Sequence, residues 1–148
     1  MTKGGTAVSV RVVTNVEDRA QAFAIRQRVF QDEQGVPAEE EFDADDARAT
    51  HVVAVVGSTC VGTGRIVFHS EYAKIGRMAV LREWRRHGVG RALLDALIAI
   101  AIEPGVRQLC LHAQVHAIPF YAACGFRVAG EEFTEAGIRH RRMERELP

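Results

Sequence analysis

Residues 74–102 read KIGRMAVLREWRRHGVGRALLDALIAIAI and join an alternating segment to a long apolar one across a glycine turn. The alternation over 74–80 is typical of a strand, and the apolar run that ends at Ile102 is typical of a buried helix. Gly88 and Gly90 would each cost about 1 kcal/mol inside a helix but little in its first turn. The segment therefore predicts a strand, a turn and a helix that begins near these glycines.

Two arginines, Arg85 and Arg86, stand just before the expected start of that helix. Because the helix dipole already makes this end positive, two more cations are unfavourable there unless an anion binds. Unpaired backbone N–H groups and glycines that let a ligand approach both suit a phosphate. A solvated surface turn would explain the same residues, and the Arg-x-x-Gly-x-Gly spacing alone is weakly specific. Its position between a strand and an apolar helix favours an anion site.

The chain before this segment predicts a strand, a helix and a hairpin. Residues 8–12 alternate valine with polar side chains, as in a half-buried strand. Asn15 is a suitable cap for a helix that should end near Gly35. After an acidic loop, two strand-like segments over 51–56 and 59–68 flank a two-residue turn.

The chain after this segment predicts a strand over 107–113, a short helix and a last hairpin. Pro119 suits the first turn of the short helix, and Gly125 suits its C-terminal end. The last hairpin would turn around 134–137. The resulting order, β-α-β-β-β-α-β-α-β-β, predicts a mixed α/β sheet with helices covering it.

The composition limits the classes of protein to consider. The length of 148 residues suits one domain over 1–148, and 19 basic residues balance 19 acidic ones, which argues against a nucleic-acid partner. The three cysteines lack CxxC spacing and lie in apolar segments, which predicts reduced, buried thiols; a catalytic cysteine is the alternative. Neither a signal peptide nor a membrane span is evident. We expect a cytoplasmic protein with no membrane partner.

Several segments in one order carry a resemblance to a known family. Arg85-x-x-Gly88-x-Gly90 follows the strand GRMAV and precedes AIPFYAACGF. This combination resembles the acetyl-CoA site of the GNAT superfamily of N-acetyltransferases. AFAIRQRVFQDEQGVP, LHAQVHAIPFY and GIRHRRM are similar to the small ElaA-like branch. The resemblance extends over nearly the whole chain, from about Ala22 to Met143.

The resemblance implies a mixed sheet with splayed central strands, helices on both faces, and acetyl-CoA in the slot between the splayed strands. In such enzymes the strand matching 77–80 carries a bulge, which frees backbone groups from the ladder. Its backbone would pair with the pantetheine arm of acetyl-CoA at Met78, Ala79 and Val80. The pyrophosphate would be held by four backbone N–H groups and two side chains: those of Gly88, Val89, Gly90 and Arg91, and those of Arg85 and Arg86.

Two further residues receive roles from the resemblance. Tyr121 matches the usual general acid, which protonates the departing CoA thiolate. A phenol stays protonated at neutral pH and can donate a proton or a hydrogen bond, although Phe120 and Tyr121 are equally suited to packing on a short helix. Gln114 stands where many members have an asparagine against the cofactor arm, so it is predicted to contact the cofactor.

A protonated acceptor amine needs a base before it can attack a thioester. Glu33 is a candidate because the family folds its first helix over the acceptor side. His112, His116 and His140 are candidates because imidazole exchanges protons near neutral pH, although each is also explained as a structural side chain. Among these four residues we favour Glu33 and His140.

Six carboxylates lie between positions 39 and 46, at Glu39, Glu40, Glu41, Asp43, Asp45 and Asp46. They predict either a solvated loop or a surface that attracts a cationic amine. A calcium loop is excluded because its glycine and distal glutamate are missing.

GTGRIV at 62–67 begins like a dinucleotide fingerprint but lies in a predicted strand. His112-x-x-x-His116 follows a strand end without a third ligand, so no metal site is expected.

The sequence therefore predicts an N-acetyltransferase in which the acceptor amine attacks acetyl-CoA directly. The acceptor would be a small-molecule or peptide amine, and the frequency of dimers in the superfamily suggests a homodimer. Two alternatives remain. One is a module that binds or senses acyl-CoA without turnover, and the other is a protein-interaction domain with no cofactor.

Overall fold

The computed structural model of the chain describes residues 7–148. Within them the strands are β1 (Val8–Val12), β2 (Thr50–Val56), β3 (Thr59–Phe68), β4 (Tyr72–Val80), β5 (Gln108–Gln114), β6 (Arg127–Val128), β7 (Phe133–Glu135) and β8 (Ile138–Glu146). The α-helices are α1 (Val16–Arg26), α2 (Ala38–Glu41), α3 (Val89–Ile102) and α4 (Ile118–Ala123). A π-helical stretch, Gln27–Glu33, continues α1, and 3₁₀ turns lie at Ala44–Ala47, Arg82–Trp84 and Val115–Ala117. Residues 1–6, on which part of the signal-peptide expectation rests, lie outside the described residues.

The strands form one mixed sheet in the order β1-β2-β3-β4-β5-β8-β6, with β7 paired to β8. The pair β4–β5 is parallel, and the other neighbouring pairs are antiparallel. The mixed sheet predicted from the element order is confirmed. No helix within residues 7–148 is long and apolar enough to cross a membrane.

Helices cover both faces of the sheet, as predicted. On one face, Leu93 and Leu97 of α3 pack in a fully buried core with Val52 of β2. On the other face, Ala22 of α1 packs against Val53, the next residue of the same strand. The alternation of the strand therefore sends adjacent valines into two separate apolar layers, each closed by a helix.

The first helix begins and ends where the sequence predicts. The Asn15 side chain accepts a hydrogen bond of 2.7 Å from the Asp18 N–H, which satisfies one of the unpaired donors of the first turn. The helical path runs through the π-helical stretch to Glu33, and Gly35 then adopts a φ of +73°. The widened turns at the end of this helix are not predicted by the sequence pattern.

A bulge interrupts β4 at Arg77. Gly76 pairs with Arg65 and Ala79 pairs with Thr63, so two residues of β4 stand opposite the single residue Gly64. Arg77 has a φ of +53°, a conformation that is strained for a residue with a side chain. The bulge implied by the resemblance is present in the structure.

The two central strands separate just before this bulge. The β4–β5 ladder runs from Tyr72–Gln108 to Ile75–Leu111 and stops there. Beyond Leu111, β5 continues to Gln114 by pairing with β8 alone. A V-shaped slot therefore opens in the middle of the sheet, and the predicted splay is confirmed.

The last hairpin differs from its prediction in one respect. The strand expected over 127–133 is divided into β6 and β7, because Gly130, with a φ of +94°, turns the chain between them. The Arg141 guanidinium donates a hydrogen bond to the Gly130 carbonyl oxygen and holds this turn against β8. The tight turn itself lies at Ala136 and Gly137, which both have positive φ, as two-residue hairpins require.

The glycines of GTGRIV allow α3 to lie directly on β3. A β-carbon at Gly62 would lie 2.9 Å from Val89 Cγ1, 3.0 Å from Leu93 Cδ1 and 3.1 Å from the Ala79 carbonyl oxygen. We expect Gly62→Ala to lower the free energy of unfolding by about 1–3 kcal/mol, measured by urea denaturation. Gly76→Ala is the matched control, because no atom lies within 4 Å of its added β-carbon; equal effects of the two substitutions would contradict this account.

Candidate active site

A cleft of about 1030 Å³ follows the slot between β4 and β5. Its lining includes every predicted site residue except Glu33, namely Met78, Ala79, Val80, Arg85, Arg86, Gly88, Val89, Gly90, Arg91, Gln114, Tyr121 and His140. Residues that are 62 positions apart in sequence thus face one space, and this convergence makes the cleft the candidate site.

The backbone of β4 beyond the bulge presents groups to the slot. The Leu81 N–H donates to the Val61 carbonyl oxygen at 3.0 Å, so by alternation the polar groups of Ala79 face β3 and those of Val80 face the slot. Arg77 and Met78 have no partner residue in β3. Met78 and Val80, rather than Ala79, therefore carry the backbone groups that a ligand in the slot would meet.

The start of α3 forms one end of the cleft. Its first intrahelical hydrogen bond runs from the Ala92 N–H to the Gly88 carbonyl oxygen, at 3.0 Å, which leaves the N–H groups of Val89, Gly90 and Arg91 without an intrahelical acceptor. Gly88 has a φ of +81°, and no atom lies within 4 Å of an added β-carbon. The helix start therefore has the unpaired donors and the open space that a phosphate group needs.

The two arginines before α3 differ in their surroundings. The Arg85 guanidinium donates to the Val80 carbonyl oxygen at 3.0 Å and to Glu33 Oε1 at 2.6 Å. Arg86 is exposed, has a φ of +65°, and has no hydrogen-bond acceptor among the described residues. Arg86 is therefore the cation that can meet an anion without first breaking an ion pair.

Glu33 lies outside the cleft lining, in an ion pair. Besides Arg85, it has Arg82 Nε at 3.7 Å. Glu33 therefore lies at the end of the π-helical stretch, away from the slot, as the ion-pair partner of Arg85.

Tyr121 reaches the slot from α4. Its hydroxyl donates to Met78 Sδ at 3.7 Å, so it points at the bulge of β4. The rings of Phe120 and Phe126 pack edge-on at 5.0 and 6.1 Å between centroids and help to fix the phenol. Burial, followed by the charge of Cys124, raises the pKa of Tyr121 to about 12. The phenol is therefore neutral at all ordinary pH values and acts as a donor in an apolar setting.

On the opposite face of the sheet, a histidine and a carboxylate meet at the vertex of the slot. His112 Nδ1 lies 3.1 Å from Glu135 Oε1, and the His112 ring packs edge-on against Phe133 at 4.9 Å. The hydrogen bond from His112, helped by the charges of Lys74 and His140, lowers the pKa of Glu135 to about 2. Glu135 is thus an ionised carboxylate beside the imidazole.

Two carboxamides bridge the cleft. Gln34, after the π-helical stretch, and Gln114, at the end of β5, exchange hydrogen bonds of 3.3 and 3.0 Å. The predicted contact of Gln114 with a cofactor thus competes with an observed protein partner that is 80 positions away.

His140 is buried, and its imidazole N–H at Nδ1 donates to the Ile138 carbonyl oxygen at 2.8 Å. Because a carbonyl oxygen only accepts, the lone pair lies on Nε2. His116, by contrast, is exposed at the rim of the cleft.

The acidic loop is solvated only in part, because arginines bind three of its carboxylates. The buried Arg26 side chain binds Glu41 at 2.8 Å and Asp46 at 2.7 Å, and Arg65 binds Asp46 and Asp43. Half of its six carboxylates are therefore neutralised by arginines from the helix and the sheet, and both sequence interpretations are wrong for these three. Within residues 7–148 no cluster of His, Cys, Asp and Glu side chains could hold a metal ion.

The same acidic segment also binds Arg77, the residue at the bulge of β4. Arg77 donates to the carbonyl oxygens of Glu41 at 2.9 Å and Glu40 at 3.2 Å, and to Asp43 at 3.1 Å. These contacts hold the side chain of the strained residue in place from outside the sheet. The acidic segment is thus a support for the slot.

The buried carboxylate of Asp46 makes stability depend on acid pH. Burial raises its pKa, but the hydrogen bonds and charges of Arg26 and Arg65 outweigh that effect and lower the pKa from 3.8 to about 2. A lowered pKa in the folded state means that the stabilisation is present above pH 3.8 and is lost as the pH falls towards about 2. We expect a loss of about 2 kcal/mol across this window, measured by urea unfolding. In Asp46→Asn this part of the loss should vanish, whereas Asp45→Asn should keep it.

The cysteines lie away from the chemistry. Cys110 and Cys124 are buried free thiols, and Cys60 is half-buried. Burial raises the pKa of the Cys110 and Cys60 thiols, which disfavours the thiolate that a nucleophilic cysteine needs. None of the three lines the cleft.

Comparison with known sequences gives one family. A model described as an acetyltransferase (GNAT) domain matches residues 13–147. A relative from Bacillus subtilis (strain 168), called the uncharacterized N-acetyltransferase YjcF, is 41% identical over 133 residues, which span 89% of this chain and 95% of the relative.

Comparison with solved structures gives the same result. Escherichia coli ElaA has a TM-score of 0.82 at 25% identity, over 95% of this chain and 100% of ElaA. A GNAT family acetyltransferase from Elizabethkingia anophelis, solved with acetyl-CoA bound, has a TM-score of 0.73 at 16% identity, over 95% of this chain and 98% of that one. At the latter identity the likeness concerns the fold.

Proposed function

Because this chain belongs to the GNAT family of acetyltransferases, we propose that it transfers an acetyl group from acetyl-CoA to a primary amine by direct attack in a ternary complex. Membership of the family makes the chain an acyltransferase. The identity of the donor, the amine acceptor and the direct mechanism are the parts that we propose. The acceptor would be a small-molecule or peptide amine.

One observation carries the proposal: a slot through the sheet has unpaired backbone donors along one wall and at one end, and a neutral phenol that points into it. The wall is β4 beyond its bulge, where Met78 and Val80 turn their backbone groups away from β3. The first turn of α3 closes one end of the slot, and the phenol belongs to Tyr121. An extended, amide-bearing arm that ends in a diphosphate matches this layout.

The residues of the chain fit this donor. The N–H groups of Val89, Gly90 and Arg91 would bind the pyrophosphate, with charge from Arg86. Arg85 would bind the pyrophosphate only after its ion pair with Glu33 is broken, which makes it a weaker candidate than Arg86. Bound acetyl-CoA supplies an activated thioester carbonyl, and the amide at Met78 is the group that could polarise it.

Tyr121 would assist departure of the thiolate by donating a hydrogen bond. A phenol whose pKa is about 12 is a weaker acid than a thiol, so complete proton transfer from Tyr121 is uphill unless the thiolate is itself desolvated. A hydrogen bond to the developing charge needs no such transfer and gains strength in an apolar site.

The proposal is tested by binding and turnover together. We expect acetyl-CoA at a hundredfold excess over its Kd to stabilise the protein by about 2.7 kcal/mol in thermal unfolding, and an amine library to release free CoA thiol. Stabilisation without thiol release for any amine would favour a non-catalytic acyl-CoA-binding module. No stabilisation at any concentration would favour an interaction domain without a cofactor.

A substitution at Gly90 separates cofactor binding from folding. An added β-carbon there would meet only the Phe120 ring, at 3.5 Å, which is ordinary contact. We expect Gly90→Ala to keep or slightly raise stability, because alanine favours helix, but to weaken acetyl-CoA binding about tenfold by filling space next to the phosphate donors. Isothermal titration measures the affinity. Unchanged affinity in this variant would contradict the assignment of the α3 start to the pyrophosphate.

A further inference from the structure

The vertex of the slot holds a side chain to which the proposed acetyl transfer assigns no role. The last pair of the β4–β5 ladder joins Ile75 to Leu111, so His112 is the first residue of β5 without a partner on β4. Leu111 belongs to the core beneath α3. By strand alternation, His112 therefore faces the side of the sheet that α1 covers, opposite to α4 and Tyr121.

The hydrogen bond of His112 fixes which ring nitrogen is basic. The ionised carboxylate of Glu135 only accepts, so the proton of the neutral ring lies on Nδ1, which is 3.1 Å from Glu135 Oε1. The lone pair is then on Nε2. His112 keeps 26% of its side chain exposed and lines the cleft, so a substrate in the cleft can reach the ring.

We propose that His112 is the base that takes the proton from the acceptor amine, with Glu135 as its positioning partner. The proposal rests on the proposed function and adds the base and the direction of approach to it. The amine enters from the α1 face of the slot and meets His112 at the vertex, whereas Tyr121 meets the leaving sulfur from the α4 face. The two groups that handle protons thus act from opposite sides of the sheet.

The steps balance. An ammonium group gives one proton to His112 Nε2, and the freed nitrogen lone pair forms the C–N bond at the thioester carbonyl carbon. The C–S bond breaks with its electron pair on sulfur, the new amide nitrogen loses its second proton, and the thiolate gains one. One proton leaves to solvent from the imidazolium, so each turnover restores the neutral ring.

The charges around His112 suit this role. Glu135 from β7 favours the protonated ring once it has formed, as a carboxylate does for a catalytic imidazole. Lys74 from β4 and His140 from β8 also lie near Glu135, and Arg142 from β8 is the direct cross-strand neighbour of His112.

The other candidate bases lack one of these features. His140 Nδ1 donates to a neutral carbonyl oxygen, so no carboxylate stabilises its protonated form, and only 8% of the residue is exposed. Glu33 is held by Arg85 and lies outside the cleft lining. His116 has no carboxylate partner among the described residues. His112 alone of the four combines access, a carboxylate and the vertex position.

Kinetics with two kinds of amine test the proposal. With the alkyl amine that gives the highest rate in the thiol-release library, we expect His112→Gln to lower kcat/KM by about 10²–10⁴ at neutral pH. We also expect kcat/KM of the variant to keep rising with pH towards the pKa of the amine, because only the free amine then reacts. With hydroxylamine, which is largely unprotonated at neutral pH, the loss should be much smaller. The affinity for acetyl-CoA should stay unchanged. Equal losses for both amines, or a wild-type rate and pH profile in His112→Gln, would overturn the proposal.

A second measurement is independent of turnover. The His112 imidazole signal, assigned by its absence in His112→Gln, is followed by NMR as a function of pH in the wild type and in Glu135→Gln. We expect its titration midpoint to move to lower pH in Glu135→Gln, because the carboxylate charge no longer favours the protonated ring. An unchanged midpoint would overturn the His112–Glu135 pair even if the enzyme turns over. Thiol release that fails for every amine in the wild type, with the midpoint shift present, would instead reject the proposed function.

Discussion

We expect Arg26→Ala to lose about 3–5 kcal/mol of unfolding free energy, which is a large share of the total for a chain of this size. The Arg26 side chain is 1% exposed and binds two carboxylates, Glu41 and Asp46, that are themselves buried. Its removal would leave both anions with Arg65 and Arg77 as their remaining cations, in a site that water reaches poorly. Urea denaturation with intrinsic fluorescence measures the loss.

Arg48→Ala is the matched control. Arg48 also pairs with a carboxylate of the acidic segment, Asp45, but both side chains are about half exposed, at 54% and 45%. Exposed pairs contribute about 0–1 kcal/mol, so this variant should differ little from the wild type. Similar losses for the two arginines would mean that burial of the pair at Arg26 is not what stabilises the segment.

We expect Tyr121→Phe to lower kcat by about 10²–10⁴ while the Kd for acetyl-CoA stays nearly constant. Phenylalanine keeps the ring contacts with Phe120 and Phe126 and removes only the hydroxyl. Among residues 7–148 that hydroxyl has one hydrogen-bond partner, Met78 Sδ at 3.7 Å, so its loss should not disturb folding. Steady-state kinetics and isothermal titration give the two constants.

Tyr72→Phe is the control for this substitution, because Tyr72 is the other of the two tyrosines and stacks on His69 at the start of β4, outside the cleft lining. It should leave kcat unchanged. A wild-type kcat in Tyr121→Phe would remove the phenol from the mechanism, and a weakened Kd with normal kcat would make Tyr121 a packing residue.

Features that depend on neighbouring residues were predictable from the sequence. The Asn15 cap, the two-residue turn after β2 and the glycine start of α3 each follow from a few adjacent residues, and all three are confirmed. The splay and the bulge entered through the family resemblance, and the structure contains both. That the chain is one domain, lies in the cytoplasm and forms a homodimer stays a prediction.

Features that depend on distant partners were not predictable. Arg26 meets Asp46 across 20 positions and Arg85 meets Glu33 across 52, and composition cannot say which arginine will reach which carboxylate. The acidic segment was therefore assigned to solvent or substrate, and Glu33 was ranked as a base without its ion pair. The His112–Glu135 pair was missed for the same reason. Its only local signal is an acidic residue, Glu135, beside the turn of the last hairpin.

The bulge at Arg77 makes β4 sensitive to length in a way that its composition does not reveal. Before it, Ile75 faces the core under α3; after it, Met78 faces that core and Ala79 faces α1. Successive side chains of a strand point to opposite faces of the sheet. Loss of one residue here would therefore move each later side chain of β4, as far as the turn that precedes α3, to the opposite face. The protein should tolerate single substitutions in β4 more often than a single deletion, because a substitution leaves every other side chain on its own face and no substitution can reverse the shift that a deletion causes.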